Sequence, residues 1–445
     1  PRSAAVIVSQ SCIMRSFIAF APTVATLARM DNPRHAAHIK VMTQDTDIAI
    51  VGGGLNGPIL ALALAQSGIT STVIDAQATS TFKDEEFNGK AYAVAMTSQR
   101  LLRHLGLWDA LAAHAQPMLE IKVTDGRAGE GPSPFFMHFD HAEIEEGPMG
   151  YMIQDRHLRP VLLDAIAQHD HITHLPETTV TAQDPQPSQV SIALDSGKSL
   201  NARVVIGCDG RASGTCARAG IKRVGWGYGQ TALVCAIKHE KPHHGVAHQF
   251  FMPAGPLAIL PLPGNRSSIV WSETDENAQA FNALPEADYI DMLRPRFGDF
   301  LGEITLEGTR FTYPLNLTLA QNLVADRVAL VGDAAHGVHP IAGQGLNAGL
   351  RDIAALAQVM AEAKQRGEDI GSIPVLKRYE EWRRFDNTSL AMATDAFNKL
   401  FSNDNPLLRI GRDLGMGLIN AVPSLRRGFI REAAGLTGEL PKLMQ

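Results

Sequence analysis

Apolar residues follow two different spacings along the chain, and together they predict a mixed α/β fold. Short runs rich in valine and isoleucine, at residues 47–51 and 327–331, are typical of strands buried on both faces. Apolar residues at helical spacing follow them, at residues 59–66 and 346–365. Strands that alternate with helices build a parallel, doubly wound sheet, so these two distant pairs are predicted to belong to one Rossmann-type nucleotide-binding fold.

The middle of the chain has a different pattern. Helical spacing largely disappears after Gln230, and strand-like runs are separated there by Pro-Gly turns. We expect a mostly antiparallel sheet, inserted into the nucleotide-binding fold, from the runs at residues 232–238, 246–252, 257–262 and 267–273. Strong helical spacing returns beyond Pro374 and predicts a C-terminal helical region, with helices at residues 376–400, 406–421 and 424–434.

The predicted domains are therefore discontinuous in sequence. They are a nucleotide-binding domain at residues 42–118, 151–225 and 325–372, a β-sheet substrate domain at 119–150 and 226–324, and C-terminal helices at 373–445.

Residues 1–41 differ from the predicted folded body. They are basic, with the single acid Asp31, and their apolar run at 16–28 is shorter than the roughly 20 residues that span a bilayer. Three interpretations remain open: a cleaved targeting peptide, an anchor, or translated sequence upstream of a start at Met42. We favour the third, because the first predicted strand follows Met42 closely, and we expect this leader to be dispensable.

Composition narrows the class of protein. The 445 residues are 45% hydrophobic and 19% charged, as in a globular protein of two or three domains. The net charge of −6 gives no basic footprint, so we expect no nucleic-acid partner. Four cysteines form no CxxC pair, which favours reduced thiols in a reducing compartment. The sixteen histidines lack companion ligands at metal-binding spacings, so we expect no metal.

The first chemical motif is a GxGxxG sequence in a strand–helix–strand setting. Gly52 permits a tight turn, Gly54 lets a pyrophosphate approach the backbone, and Gly57 lets helix and strand pack closely. Asp75 ends the second predicted strand, where a carboxylate can bind both hydroxyls of an adenosine ribose. This combination predicts an ADP-containing cofactor.

A second glycine-rich loop lies about 280 residues later, at residues 331–352. Asp333 closes a strand there, and a helix begins near Gly345, Leu346 and Asn347, with its free N–H groups and positive dipole end toward the loop. Two glycine loops suit a long cofactor such as FAD better than a nicotinamide nucleotide. We expect the flavin ring to face Pro340, Gly343, Gln344 and Gly345.

Three further candidates lie elsewhere. Asp209 and Gly210 follow a predicted strand, so they are expected at the ligand-binding edge of the sheet. Gln154 ends a strand before a predicted helix and is included among the cofactor-binding candidates. Lys90 could reach a phosphate or the cofactor edge, although a solvated lysine is an equally good interpretation.

Over residues 45–436 the chain resembles the flavoprotein aromatic hydroxylases related to para-hydroxybenzoate hydroxylase, and is most similar to the ubiquinone-biosynthesis hydroxylases. The resemblance rests on both glycine motifs and on Asp209-Gly210, and more specifically on segments at residues 98–108, 226–230, 255–271 and 379–387. It implies that Asp209 and Gly210 serve FAD and reduced-nicotinamide sites, that Asp333 contacts the ribityl chain or ribose, and that residues 345–347 meet the flavin ring. Lys90 stands where the family often has arginine.

The resemblance also implies the chemistry. Reduced flavin, supplied with electrons by reduced nicotinamide or another donor, reacts with O₂ to give a hydroperoxide that hydroxylates an electron-rich ring. The implied substrate is a lipophilic, polyprenylated phenol, with the sheet domain supplying an apolar wall from Phe250, Met252, Leu260 or Leu262. The resemblance implies a cytoplasmic enzyme peripheral to the inner membrane, with a biosynthetic protein complex as a further partner. The C-terminal helices could contact an anionic membrane surface, or they could form a helical cap on the core.

Two alternative functions remain. One is another flavin oxidoreductase of the same fold acting on a different lipophilic substrate. The other is a non-catalytic flavoprotein subunit of a biosynthetic complex, which would bind FAD without consuming oxygen in the presence of any phenol.

Overall fold

The computed structural model describes residues 43–82, 89–129, 131–402 and 415–445, and its mixed α/β architecture confirms the predicted fold class. The strands are β1 (Thr43–Val51), β2 (Ser71–Ile74), β3 (Ala91–Ala95), β4 (Ala115–Met118), β5 (Glu120–Arg127), β6 (Gly131–Asp140), β7 (Gly150–Gln154), β8 (Ile172–Leu175), β9 (Val180–Pro185), β10 (Val190–Leu194), β11 (Ser199–Gly207), β12 (Arg223–His239), β13 (Val246–Met252), β14 (Gly255–Leu262), β15 (Arg266–Thr274), β16 (Ile304–Ala320), β17 (Val324–Ala325), β18 (Val328–Leu330) and β19 (His336–Gly337). The helices are α1 (Asn56–Ala65), α2 (Met96–His104), α3 (Trp108–Leu111), α4 (Asp155–Ala167), α5 (Gly214–Arg218), α6 (Asp275–Asn282), α7 (Glu286–Phe297), α8 (Gln344–Gln365), α9 (Ile373–Phe401) and α10 (Pro423–Ala433).

The first sheet has the order β17-β18-β11-β1-β2-β8, and the neighbours from β18 to β8 are parallel. Its central strands are buried on both faces, which is why they are continuous apolar runs. The helices α1 and α8 cover one face, and the β9–β10 hairpin packs on the other. Because the strands are parallel, the ends of β1, β2, β11 and β18 meet at one edge, where a ligand crevice is expected.

The second sheet has the order β19-β16-β12-β15-β14-β13-β5-β6. It is antiparallel except for the pair β5–β13, which is parallel because β5 enters the sheet from a separate part of the chain. A small third sheet, β3-β7-β4, packs against the second sheet through Met118 and Met152. Residues 42–445 form one compact unit, and the proposed division into domains stays a prediction.

The register of the second sheet decides which residues face inward. Phe250 and Met252 pack with Trp271 and Tyr289 beneath α6 and α7, so they are on the face away from the third sheet. Leu260 and Leu262 occupy the opposite face, against Ala93 and other small residues of the third sheet. Of the expected apolar wall, only this second pair therefore faces the nucleotide-binding body.

Several elements were not expected from the sequence. The long strand β16 was missed because its polar residues and Pro314 hide the alternation, and two register shifts interrupt its pairing with β12. β8 and α6 were also missed. The leader at residues 1–41 and most of the expected helix at 406–421 lie outside the described residues, although residues 415–421 are helical. Within the described ranges, no helix is both long and apolar enough to cross a membrane.

Candidate functional site

The carboxyl ends of β1, β2 and β11 surround a cavity of about 460 Å³, a volume within the usual range for ligand pockets. The structure thus brings Gly52, Gly54, Asp75, Asp209 and Gly210 together, as the sequence predicted from strand ends alone. The lining also includes residues that the sequence did not single out, namely Gly53, Gln77, Arg159, Thr178, Thr179, Cys208 and Arg218.

Glycine is needed at each position of the first motif for a different steric reason. Gly52 has φ +110°, and a Cβ there would lie 2.4 Å from the Cys208 carbonyl oxygen. A Cβ at Gly57 would lie 2.0 Å from the Gly52 oxygen, so only glycine allows α1 to pack this closely on the turn. At Gly54 a Cβ would meet no atom within 4 Å, so the backbone is open there toward the cavity. This open space is where a pyrophosphate would approach.

The two carboxylates at the cavity differ in their bonding. Asp75 is buried, and its Oδ1 accepts a hydrogen bond of 3.1 Å from the Gln77 amide. The Asp209 carboxylate accepts bonds from the Ser213 hydroxyl at 2.5 Å and from the Thr215 amide and hydroxyl, both at 2.9 Å. Asp209 therefore holds the turn that starts α5 and shapes the cavity wall, while Gly210 takes a φ of +76° beside it.

Two arginines supply positive charge that the motif analysis missed. Arg159 on α4 donates bonds of 2.8 and 3.0 Å to the Asp155 carboxylate one helical turn earlier. Arg218 on α5 donates to the Gln183 side chain and the Val180 carbonyl, at 3.2 Å each. The sequence could have pointed to Arg159, because it lies four residues after Asp155 on a predicted helix, a spacing that favours an ion pair. Guanidinium groups suit phosphate oxygens.

Asp333 does not line this cavity. Its side chain is half-exposed, and its Oδ2 accepts a bond of 3.4 Å from Arg211. The Asp333 carbonyl accepts a second bond, of 3.0 Å, from Arg223. The side chain therefore lies beside two arginines in the second loop, with part of its surface open to a hydroxyl group.

A buried carboxylate, which the sequence analysis did not identify as a site residue, anchors the second loop. Asp352 is fully buried and accepts bonds from the Gly332 amide at 3.1 Å and from His336 Nε2 at 2.6 Å. From α9, Arg383 Nε donates at 2.8 Å and Asn387 Nδ2 at 3.1 Å. Burial by itself would raise the pKa of Asp352, but His336 and Arg383 hold that pKa well below its usual range. The loop is thus tied to both long helices.

The end of the second loop is organised by Asn347. Its amide oxygen accepts from the Ala95 amide at 2.8 Å, and its Nδ2 donates to the Ala93 and Gly343 carbonyls at 2.9 and 3.0 Å. Gly343 has φ +64°, and α8 begins at the next residue, Gln344. The Asn347 side chain thus positions the N-terminus of a 22-residue helix beside β3.

The backbone of the first turn of α8 is sterically open at Gly345. A Cβ at Gly345 would meet no atom within 4 Å, and Leu346 packs against the main core. Pro340 is half-buried at the start of the short 3₁₀ turn that precedes the helix. Free N–H groups at such a helix start favour a negatively charged or electron-rich group.

The last two candidates lie at the same end of the β3–β7 pair, Gln154 as the last residue of β7 and Lys90 just before β3. Gln154 is buried, and its Oε1 accepts a bond of 2.8 Å from Arg156, while its Nε2 has no partner among the described residues. An orphaned buried amide fits a ligand that accepts its hydrogen bond. The Lys90 ammonium lies 4.7 Å from the centre of the Phe311 ring, and its carbonyl accepts from the Asp155 amide. Its predicted contact with a cofactor stays a prediction.

Within the described ranges, no group of three or more histidine, cysteine, aspartate and glutamate side chains is arranged to hold a metal. Cys208, Cys216 and Cys235 are free thiols.

The structure has one glycine turn at a nucleotide-sized cavity and a second glycine loop at the start of a long helix. Two such loops are typical of a protein that binds a flavin nucleotide. The FAD binding domain family model matches residues 45–391. Over 402 residues the chain is 44% identical to ubiquinone hydroxylase UbiL of Rhodospirillum rubrum, which covers 90% of this chain and 92% of that protein. It is also 34% identical over 395 residues to 3-demethoxyubiquinol 3-hydroxylase of Escherichia coli K12, covering 88% and 99%.

The chain belongs to the FAD binding domain family and, within it, to the FAD-dependent ubiquinone-biosynthesis hydroxylases. The crystal structure of p-nitrophenol 4-monooxygenase PnpA from Pseudomonas putida DLL-E4 has the same fold, with a TM-score of 0.74 at 20% identity, covering 89% of this chain and 100% of that one. The predicted family, the FAD cofactor and the monooxygenase class are confirmed.

Proposed function

We propose that this protein hydroxylates the aromatic ring of a polyprenylated phenol precursor of ubiquinone. Bound FAD, once reduced by an external donor such as reduced nicotinamide, supplies the activation of O₂. The observation that carries the proposal is that the backbone is sterically open both at Gly54, in the predicted ADP cradle, and at Gly345, in the first turn of α8, since one long cofactor would occupy both. The family relationship supports the same chemistry.

We assign the chain's own residues to binding and orientation. Asp75 would hold the adenosine ribose, and Arg159 and Arg218 would neutralise the pyrophosphate at Gly54. Gln154, with its orphaned Nε2, and the backbone of the loop from Pro340 to Asn347 would hold the flavin end. Asp333 would bind a hydroxyl of the ribityl chain. The helix dipole of α8 would stabilise negative charge that develops on the reduced cofactor.

Exclusion of water is the remaining task of the protein, because a reactive oxygen species must not escape before it meets the ring. The small residues Ala93, Ala236 and Ala247 and the side chains of Leu260 and Leu262 form an apolar layer between the second and third sheets. A Cβ at Gly343 would lie only 2.8 Å from the Ala93 Cβ, so the loop closes tightly on this layer.

We further propose that the protein works as a peripheral protein at the cytoplasmic side of the inner membrane, in contact with other ubiquinone-biosynthesis proteins. The support is the lipophilic substrate and a set of exposed apolar side chains near the C-terminus. Phe385 and Met392, one heptad apart on α9, are 77% and 67% exposed. Leu418 and Leu425 are 60% and 47% exposed, near the cationic Arg427. Co-sedimentation with anionic vesicles, compared for wild type and a Phe385→Ser, Met392→Ser variant, tests this surface.

The function is tested with labelled O₂, a prenylated phenol and reduced nicotinamide. We expect one labelled oxygen atom in the ring product, and complementation of one strain blocked at a ubiquinone hydroxylation step. Oxygen derived from water, or turnover of a different flavin substrate but of no phenol, would contradict the hydroxylase proposal and favour another flavin oxidoreductase. FAD binding without any oxygen consumption would favour a non-catalytic subunit.

A further inference from the structure

His339 is a buried histidine without a hydrogen-bonding partner, one residue before the loop that begins at Pro340. Its side chain is 0% exposed, and neither Nδ1 nor Nε2 has a partner among the described residues. Buried polar groups in native proteins are almost always paired, so the ring can bond a group that the described residues do not supply. By contrast, both ring nitrogens of the buried His239 are bonded, to the Lys241 carbonyl and the Ser267 hydroxyl.

His339 belongs to the second loop and lies where that loop meets the inserted sheet and α9. Its ring meets the Tyr228 ring of β12 edge-on, with centroids 5.3 Å apart. The adjacent Val338 packs with Leu317 of β16 and Ala391 of α9. In the proposed function the loop contacts the flavin and the sheet covers it, so the substrate ring would lie at the junction of these two elements.

The charge state of His339 follows from the same surroundings. Burial and then the Arg211 guanidinium, which donates to the Val338 carbonyl at 3.2 Å, lower the pKa of His339 to about 4. The Asp395 carboxylate interacts with Tyr228 and accepts hydrogen bonds from Lys399 and Trp226. The imidazole is therefore neutral near pH 7, with one nitrogen that donates and one that accepts.

We propose that His339 is a specificity-determining residue that accepts a hydrogen bond from the ring hydroxyl of the aromatic substrate, a phenol or quinol. The inference rests on the proposed function and adds a named polar contact in an otherwise apolar part of the site. A site that hydrogen-bonds a substrate hydroxyl rejects analogues that lack it, because its own polar group is then left unpaired.

The experiment measures binding to the oxidised, FAD-loaded full chain without turnover. 2-Geranylphenol and its methyl ether are titrated, and the change in flavin absorption gives both dissociation constants. We expect wild type to bind the phenol roughly tenfold or more tightly than the ether. The preference should fall to about twofold or less in His339→Leu and be partly retained in His339→Gln, which keeps an acceptor oxygen.

His248→Leu is the matched control. His248 also has a pKa lowered to about 4 by burial, and its ring stacks on Phe250, on the face of the sheet that packs beneath α6 and α7. This variant should keep the full preference for the phenol. A loss of preference as large as that in His339→Leu would overturn the assignment, since any histidine replacement in the sheet would then suffice.

A second readout separates recognition from a structural role. Leucine removes an unpaired buried polar group, so His339→Leu without FAD should unfold at the same urea concentration as wild type or a higher one. A clear fall in the urea midpoint with unchanged ligand preference would make His339 structural and overturn the proposal. A fall in FAD content with unchanged preference would assign His339 to the cofactor and would also overturn it.

The outcomes also separate this inference from the function on which it rests. If wild type prefers the phenol and His339→Leu does so equally, only the role of His339 fails. If wild type binds neither compound, the hydroxylase function fails and the His339 contact falls with it.

Discussion

Replacing Asp352 by asparagine tests whether the buried network holds the second loop. The change keeps the size of the side chain but removes its charge and replaces one acceptor oxygen with a donor. Among the described residues, Arg383, whose side chain is 2% exposed, then keeps Asp386 as its one anionic partner, at 2.6 Å. The Gly332 amide and His336 Nε2 lose the oxygen that each now contacts.

The expected loss follows from the burial of this ion pair. Removing one partner of a buried pair costs about 3–5 kcal/mol, because the other charge stays in a medium of low polarity. Asp386 is partly exposed and remains bonded to Arg383, so the lower end, roughly 3 kcal/mol, is expected for Asp352→Asn. Since Gly332 and His336 flank Asp333, FAD affinity should also fall.

The assay is urea unfolding without added FAD at pH 7, repeated at several lower pH values. The folded-state pKa of Asp352 is lowered, so its stabilising effect is complete above the unfolded-state pKa of about 3.9 and is lost as pH falls toward the folded-state value. The difference between wild type and Asp352→Asn should therefore be constant from pH 7 to about pH 5 and shrink below about pH 4.

Glu362→Gln is the control on the same helix. Glu362 pairs with Lys442 at 3.2 Å near the surface, and such pairs contribute only about 0–1 kcal/mol. The reasoning would be refuted if Asp352→Asn lost no more stability than this control at pH 7. A difference that did not shrink in acid would also refute it, because the charge of Asp352 would then not be the cause.

Three further predictions concern the glycine loops and Asp333. Gly54→Val should give folded but colourless protein, whereas Gly57→Ala should fail to fold normally, because only a Cβ at Gly57 collides with backbone. Circular dichroism measures folding and flavin absorption measures bound FAD in the two variants. Asp333→Ala should weaken FAD binding by roughly 1–3 kcal/mol, measured by fluorescence titration, and unchanged affinity would remove Asp333 from the site. Gly345→Ala should lower product formed per O₂ consumed more than FAD content, and equal coupling with wild type would contradict a role in closing the flavin site.

Local sequence signals were sufficient for much of the nucleotide-binding body. Buried parallel strands are continuous apolar runs, and glycines mark the turns that follow them, so Gly52, Asp75 and Asp209 could be placed at strand ends without coordinates. Their meeting around one cavity follows from parallel strands alone. The start of α8 could also be predicted from the sequence, because helical spacing begins directly after the glycine loop.

The sequence alone determined the strand–loop–helix units at both glycine loops, their order and the edge of the sheet at which they meet, since these depend on neighbours a few residues apart. Only the tertiary structure decided that Phe250 and Met252 face α6 and α7, because a one-residue change of register would reverse every side chain of the strand. It alone also decided that Asp352 meets Arg383 and that no described residue hydrogen-bonds the His339 ring. Whether a buried polar group is paired depends on side chains brought together from distant parts of the chain, and no local periodicity records that pairing.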